Sequence, residues 1–130
     1  MRASWVRVLW GYAAMMSVGA IAAAPGASAT AEQSFLALSV QAEDNASVAT
    51  LRCDPPSGSH SNADAACAAL ADAGGDFSKL TGQPGTLCPD IFDPVTAQAR
   101  GQYRGAPVAF QQTYPNRCDL DRQTAPVFQF

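Results

Sequence analysis

Basic side chains are scarce in this sequence. Beyond residue 29 only Arg52, Lys79, Arg100, Arg104, Arg117 and Arg122 stand against eleven acidic residues, a net charge of −5. Holding a phosphate backbone takes clustered Lys and Arg, so this balance opposes it and no nucleic-acid partner is expected. Histidine is scarcer still, with His60 the one imidazole. A hydrolytic nucleophile, base and orienting acid would have to draw on it. Yet His60 sits in the run Gly-Ser-His-Ser-Asn, which lacks the Gly-x-Ser-x-Gly elbow. A lone His in a Gly-Ser loop is far more often structural or merely exposed than catalytic, and the chain is not expected to be an enzyme.

Metal motifs are missing as well. The four cysteines are separated by 14, 21 and 30 positions, whereas zinc ligation uses close pairs such as Cys-x-x-Cys. The pairs Asp90 with Asp93 and Asp119 with Asp121 lack the Asp, Gly and terminal Glu order of an EF-hand. Asp119 and Asp121 read as solvated surface charge. No metal and no cofactor are expected, and there is no internal repeat or low-complexity tail.

What is present divides the chain near residue 29. Arg2 and Arg7 make a basic start, an uncharged and mostly apolar run follows, and Ala27-Ser28-Ala29 is a small-residue cleavage site. Residues 1–29 therefore read as a secretory signal. The run is also long enough for a retained membrane anchor, but its Gly, Ser and Pro content and the Ala-x-Ala ending favour cleavage. About 100 residues remain, enough for one compact domain, so residues 30–130 are expected to form a single secreted, extracellular domain with no membrane segment. Cys53, Cys67, Cys88 and Cys118 all lie in it. An even count in an oxidising compartment points to two disulfides, with three pairings open.

Period-two patterning marks the strands. Leu36, Leu38 and Val40 share one side, as do Ala49, Leu51 and Cys53 after the Glu43-Asp44-Asn45 turn. Residues 53–61, rich in Pro, Gly and Ser, break the pattern into an ordered loop. Ala63, Ala66, Cys67 and Leu70 then fall at helical spacing, with Ser61 or Asn62 as N-cap and Gly74-Gly75 as the stop. Between 76 and 94 regularity dissolves, which is long for a connection without a task. Val95, Ala97, Ala99 and Tyr103 alternate with polar residues, and Arg104-Gly105 turns the chain into a partner strand over 107–114. A final strand over 125–130, carrying Val127, Phe128 and Phe130, is expected to shield the sheet. The fold class is α+β: an antiparallel sheet of about five strands with one main and one short helix.

The run from Cys53 to Leu70, CDPPSGSHSNADAACAAL, resembles the signature of the subtilisin inhibitor-like proteins secreted by actinobacteria: Cys-x-Pro, then Gly-x-His, then Ala-Cys-Ala-x-Leu. The match continues through AGGDFSKLTG, CPDIFDPV, NRC and the closing VFQF. Ser61 stands where the family usually has Pro, and Ser suits a helix cap. The resemblance implies bridges Cys53–Cys67 and Cys88–Cys118, a homodimer, and a reactive peptide bond between Asp90 and Ile91. Cys88, Pro89 and Phe92 would then belong to the protease-contact loop. Read without it, Ile91 and Phe92 would be inward-packed residues of an ordinary crosslinked loop.

Under the resemblance the protein is a reversible, substrate-like inhibitor of a secreted serine protease. The competing class is a non-inhibitory secreted binding or scaffold protein that keeps the fold. Family members generally present Met, Leu or Lys where this chain has Asp90. A short carboxylate loses hydration in an apolar pocket without gaining a partner. The target is therefore either a subtilisin-type enzyme or an acid-specific one with a basic pocket.

Overall fold

The computed structural model of the protein describes residues 33–130, and the expected signal segment lies outside them. Four antiparallel strands form one sheet: β1 (Ser34–Gln41), β2 (Ala46–Cys53), β3 (Val95–Tyr103) and β4 (Ala106–Tyr114), in the order β2-β1-β3-β4. Two helices accompany it, α1 (Ala63–Asp72) and α2 (Arg117–Thr124), with a single 3-10 turn at Phe77–Lys79. Among the described residues no helix is long and apolar enough to cross a membrane.

Alternation decides which face is buried. Leu36, Leu38 and Val40 of β1, Leu51 and Cys53 of β2, and Val95, Ala97, Ala99 and Tyr103 of β3 all point into one core, as period two requires. The β1–β2 turn closes with Ala42 N–H donating to the Asn45 carbonyl at 2.8 Å. The β3–β4 turn places Arg104 and Gly105 at φ of 48° and 82°, the two positive values that a two-residue hairpin of this twist demands. Gly101 has a steric reason: at φ 139° a Cβ would lie 2.0 Å from the Phe35 carbonyl oxygen, so only glycine lets β3 close on β1 here.

The helix at 63–72 stands where the apolar spacing put it and buries Ala66, Cys67 and Leu70, while the Cys53–Cys67 disulfide ties it to the end of β2. Its cap is one of the two residues expected there, but it does not cap through its side chain. Asn62 occupies the N-cap position without a side-chain capping bond, and the Ser61 hydroxyl reaches the Gln129 carbonyl at 3.4 Å instead. The cause is His60, whose Nδ1 accepts the Asn62 N–H at 2.9 Å while its Nε2 lies 2.9 Å from the Val127 carbonyl oxygen. The first bond requires an unprotonated Nδ1, so Nε2 carries the hydrogen and donates to Val127. His60 is buried and structural, a clasp between the 53–61 loop and the C-terminal segment.

That segment is where the fold departs from the sequence reading. Residues 125–130 form no fifth strand. Val127 N–H turns back to the Thr124 carbonyl at 3.0 Å and Gln129 N–H to the Pro126 carbonyl at 3.1 Å. Val127 and Phe128, adjacent in sequence, are both fully buried, whereas a strand would send them to opposite faces. The shielding role is kept by a different conformation. Phe128 closes an aromatic cluster with Phe77 and Phe110, ring centroids 5.3 to 6.1 Å apart.

In the β3–β4 turn, Arg104 bonds Asp54, just past β2, through Nε at 2.9 Å and holds its carboxyl below the ordinary value of 3.8. A lowered folded value means that this contribution is present above 3.8 and is lost as pH falls through the folded value. Both side chains are about half exposed, which keeps the effect small.

Truncating Phe128 to Ala removes the ring that joins the 3-10 turn, β4 and the C-terminal segment. We expect a loss of about 3–5 kcal/mol of unfolding free energy, measured by urea denaturation with disulfides intact.

Candidate functional site

The segment from Leu80 to Pro94 crosses the surface between the 3-10 turn and β3, and residues 86–94 run without helix, bridge, turn or bend. Such a stretch lacks the ladder that orders a strand, so its backbone must be held from outside. The holding element is α2 together with the residues just before it. Gln83 N–H donates to the Arg122 carbonyl at 2.8 Å. At φ 59° Gly82 lies so close that a Cβ would meet the Arg122 oxygen at 2.2 Å. Cys88 is bonded to Cys118 in the first turn of α2, with Cα atoms 5.6 Å apart, and Asp93 N–H donates to the Pro115 carbonyl at 2.8 Å.

Asn116 completes the hold. It is 6% exposed and forms the N-cap of α2, its Oδ1 accepting the Asp119 N–H at 2.9 Å. Its Nδ2 donates to the Ile91 carbonyl at 2.8 Å and to the Pro89 carbonyl at 3.3 Å. The amide orientation follows from these partners, because the flipped form would set oxygen against two carbonyls. Asn116 thus grips the backbone on both sides of Asp90. Asp90 itself forms no hydrogen bond or ion pair among the described residues, leaving its carbonyl free for an incoming group.

Side chains along this backbone face solvent. Leu87 is 95% exposed, Ile91 56% and Phe92 83%, so the inward-packed alternative for Ile91 and Phe92 does not hold. Three large apolar residues on six consecutive positions of a pinned loop are what a partner surface would cover. The structure brings Cys88, Pro89, Asp90, Ile91 and Phe92 together on the loop with Cys118 beneath them. Cys53 and Cys67 lie elsewhere, in the frame between β2 and α1.

The other acidic candidates resolve differently. Asp119 and Asp121, expected as solvated charge, are partly buried on α2. Asp119 is paired with Arg122, and Asp121 with Arg117 at 3.5 Å. Helical spacing of three and four residues creates these pairs, and the sequence reading had not placed a helix there. Among the described residues no three His, Cys, Asp or Glu side chains are grouped to hold a metal ion. Asn116 is the site residue that sequence reasoning overlooked. The available signal was Asn followed three positions later by Asp119 at the start of a helix, but its grip on residues 25 and 27 positions away had no local trace.

Comparison with known proteins bears on this arrangement. Residues 28–116 match the subtilisin inhibitor-like family. The chain is 38% identical over 121 residues to the subtilisin inhibitor of Streptomyces albogriseolus, covering 86% of this chain and 84% of that one. It is 40% identical over 82 residues to subtilisin inhibitor-like protein 5 of Streptomyces fradiae, covering 62% of this chain and 77% of that one. Among solved structures it is similar to Streptomyces caespitosus sermetstatin in its crystal complex with Bacillus licheniformis subtilisin. That match has a TM-score of 0.61 and 32% identity and covers 75% of this chain and 99% of the other. With two disulfides framing a four-stranded sheet, a loop pinned on the second helix and a sequence match over most of its length, this chain belongs to the subtilisin inhibitor-like family.

Proposed function

We propose that the protein is a secreted, reversible serine-protease inhibitor that offers the Asp90–Ile91 bond to the enzyme as a substrate would. The observation that carries this reading is the double grip of Asn116 on the Pro89 and Ile91 carbonyls, with Asp90 unrestrained between them. Attack by the protease's serine oxygen on the Asp90 carbonyl carbon forms the acyl bond and breaks the bond to Ile91 nitrogen, which leaves as an amine after taking a proton. In an ordinary substrate that amine diffuses away. Here the acyl side stays tied through Cys88–Cys118 and Pro89, and the amine side through Ile91 and Asp93, all to the same short stretch of chain. Religation is then an intramolecular step with a high effective concentration, and hydrolysis loses the competition. Fixed φ at Pro89 and the disulfide also reduce the ordering cost of binding.

The relatives' names and the subtilisin in the sermetstatin complex support a serine protease as the class of partner. The inhibition constant against a panel of secreted serine proteases tests the reading. We expect a stable complex with at least one of them, with slow cleavage after Asp90 on long incubation, mapped by N-terminal sequencing of the released end. Fast turnover of the whole panel, with no complex, would favour the non-inhibitory scaffold.

Rigidity should be separable from fold. Asn116→Ser keeps a good N-cap residue but is too short to reach either loop carbonyl. Losing two hydrogen bonds of about 1 kcal/mol each should weaken inhibition by at least about tenfold and speed cleavage, with little change in the circular dichroism spectrum. Replacing Cys88 and Cys118 together by Ser should push the loop further, towards simple substrate turnover. Inhibition by both variants as tight and durable as the parent's would overturn the rigidity mechanism.

The homodimer is proposed as well. The outer face of the sheet is uncovered among the described residues and holds a depression of about 270 Å³ lined by Ala37, Ser39, Val48, Thr50, Gln98 and Arg100, with Val48 77% exposed. The small side chains of Ala37, Ser39 and Thr50 at its centre leave room for a second sheet to pack against this face. Sedimentation analysis should show a dimer for the parent and a shift to monomer for Val48→Arg.

A further inference from the structure

We propose that the protease this loop fits has a basic primary pocket, in which an arginine, lysine or protonated histidine receives the Asp90 carboxylate. The inference rests on Asp90–Ile91 being the reactive bond and adds the chemistry of the partner. Asp90 is exposed and carries no hydrogen bond or ion pair among the described residues. Its nearest charged neighbour in sequence is Asp93, and residues 80–94 contain no cation. Nothing along the loop itself therefore neutralises it. The residue before a scissile bond is the one a protease's primary pocket reads. In a substrate-like complex its side chain passes from water into that pocket.

Two kinds of pocket treat this carboxylate in opposite ways. An apolar one strips its hydration and returns no hydrogen bond. A basic one supplies charge-assisted bonds, the strong class of such contacts. The flanking side chains argue that this loop is built for close contact and not for staying in water. Leu87 and Phe92 are 95% and 83% exposed, and between positions 87 and 92 Asp90 is the one charge among apolar residues and a disulfide. Those neighbours suit apolar subsites on either side of a charged centre. The chain's negative balance acts in the same direction, steering a positively charged cleft towards the loop. The backbone around Asp90 is already held by Asn116, so changing the side chain alters recognition without altering the mechanism of inhibition.

Inhibition constants of the parent, Asp90→Asn and Asp90→Met decide the matter. They would be measured against a serine endopeptidase that cleaves after Glu and Asp, and against a subtilisin. The parent should inhibit the acid-specific enzyme more tightly than the subtilisin. Asp90→Asn, nearly isosteric but neutral, should weaken that binding by at least about tenfold, and Asp90→Met by no less. Against the subtilisin Asp90→Met should gain at least about tenfold. Added salt should weaken the parent's complex with the acid-specific enzyme and leave the Asp90→Met complex with the subtilisin nearly unchanged. If the parent fails against the acid-specific enzyme while Asp90→Met gains against the subtilisin, the basic-pocket proposal is overturned and the reactive bond stands. If neither substitution moves either constant, Asp90 does not enter the primary pocket, and the reactive-bond reading falls together with the proposal.

Discussion

One buried amide side chain serves two structures at once. Asn116 starts α2 with its oxygen and holds the Pro89 and Ile91 carbonyls with its nitrogen, so the first turn of a short helix and the exposed loop share a single anchor. An eight-residue helix with one fully buried leucine is weak by itself. A fifteen-residue stretch without secondary structure is weaker still. Each supplies the order that the other lacks, and the Cys88–Cys118 bridge in the same turn makes the pairing covalent.

The rest of the molecule can be understood as support for that anchor. Behind α2 the chain curls into residues 125–130, where Val127 and Phe128 are fully buried and Arg117 donates to the Phe128 carbonyl at 2.8 Å. His60, from the 53–61 loop, then holds the Val127 carbonyl. A path of contacts runs from the Cys53–Cys67 frame, through the 53–61 loop and the C-terminal segment, to α2 and the loop it carries. In a domain of this size the hydrophobic core alone has little margin. One disulfide, Cys53–Cys67, lies within the core and fixes the frame, and the other places a covalent constraint on the loop, beyond the core's reach.

A division of labour follows. Backbone geometry at 86–94 is set from inside the protein, by Asn116, the disulfide, Pro89 and the Asp93–Pro115 bond, and this part gives the loop its fixed shape. Among the described residues the side chains of Leu87, Asp90 and Phe92 are exposed and that of Ile91 is more than half exposed, so they are available to be read by a partner. Exposing three large apolar groups has a cost in solubility, which the surplus of negative charge helps to offset. Because the two tasks fall on different atoms, the identity of residue 90 can change while the scaffold that presents it does not.

Local patterning was enough for much of this protein. Alternation in residues 34–53 and 95–114 set out four strands and their buried faces, helical spacing from Ala63 to Leu70 placed α1, and Arg104-Gly105 marked the hairpin turn, because in each case the determining forces act within a few residues along the chain. The quoted motifs carried the family. What local pattern misjudged was the C-terminal segment. Val127, Phe128 and Phe130 have the composition of a strand, but their conformation answers to α2, Phe77 and Phe110, none of which a short window contains. Whether Ile91 and Phe92 face inward or outward was also undecidable from composition, since apolar side chains suit a core and an interface equally. Tertiary structure settled it by filling the core with other residues and pinning the loop backbone from beneath. The grip of Asn116 on the carbonyls beside Asp90 joins atoms that only the completed fold makes neighbours, and for that reason no pattern in the chain could announce it.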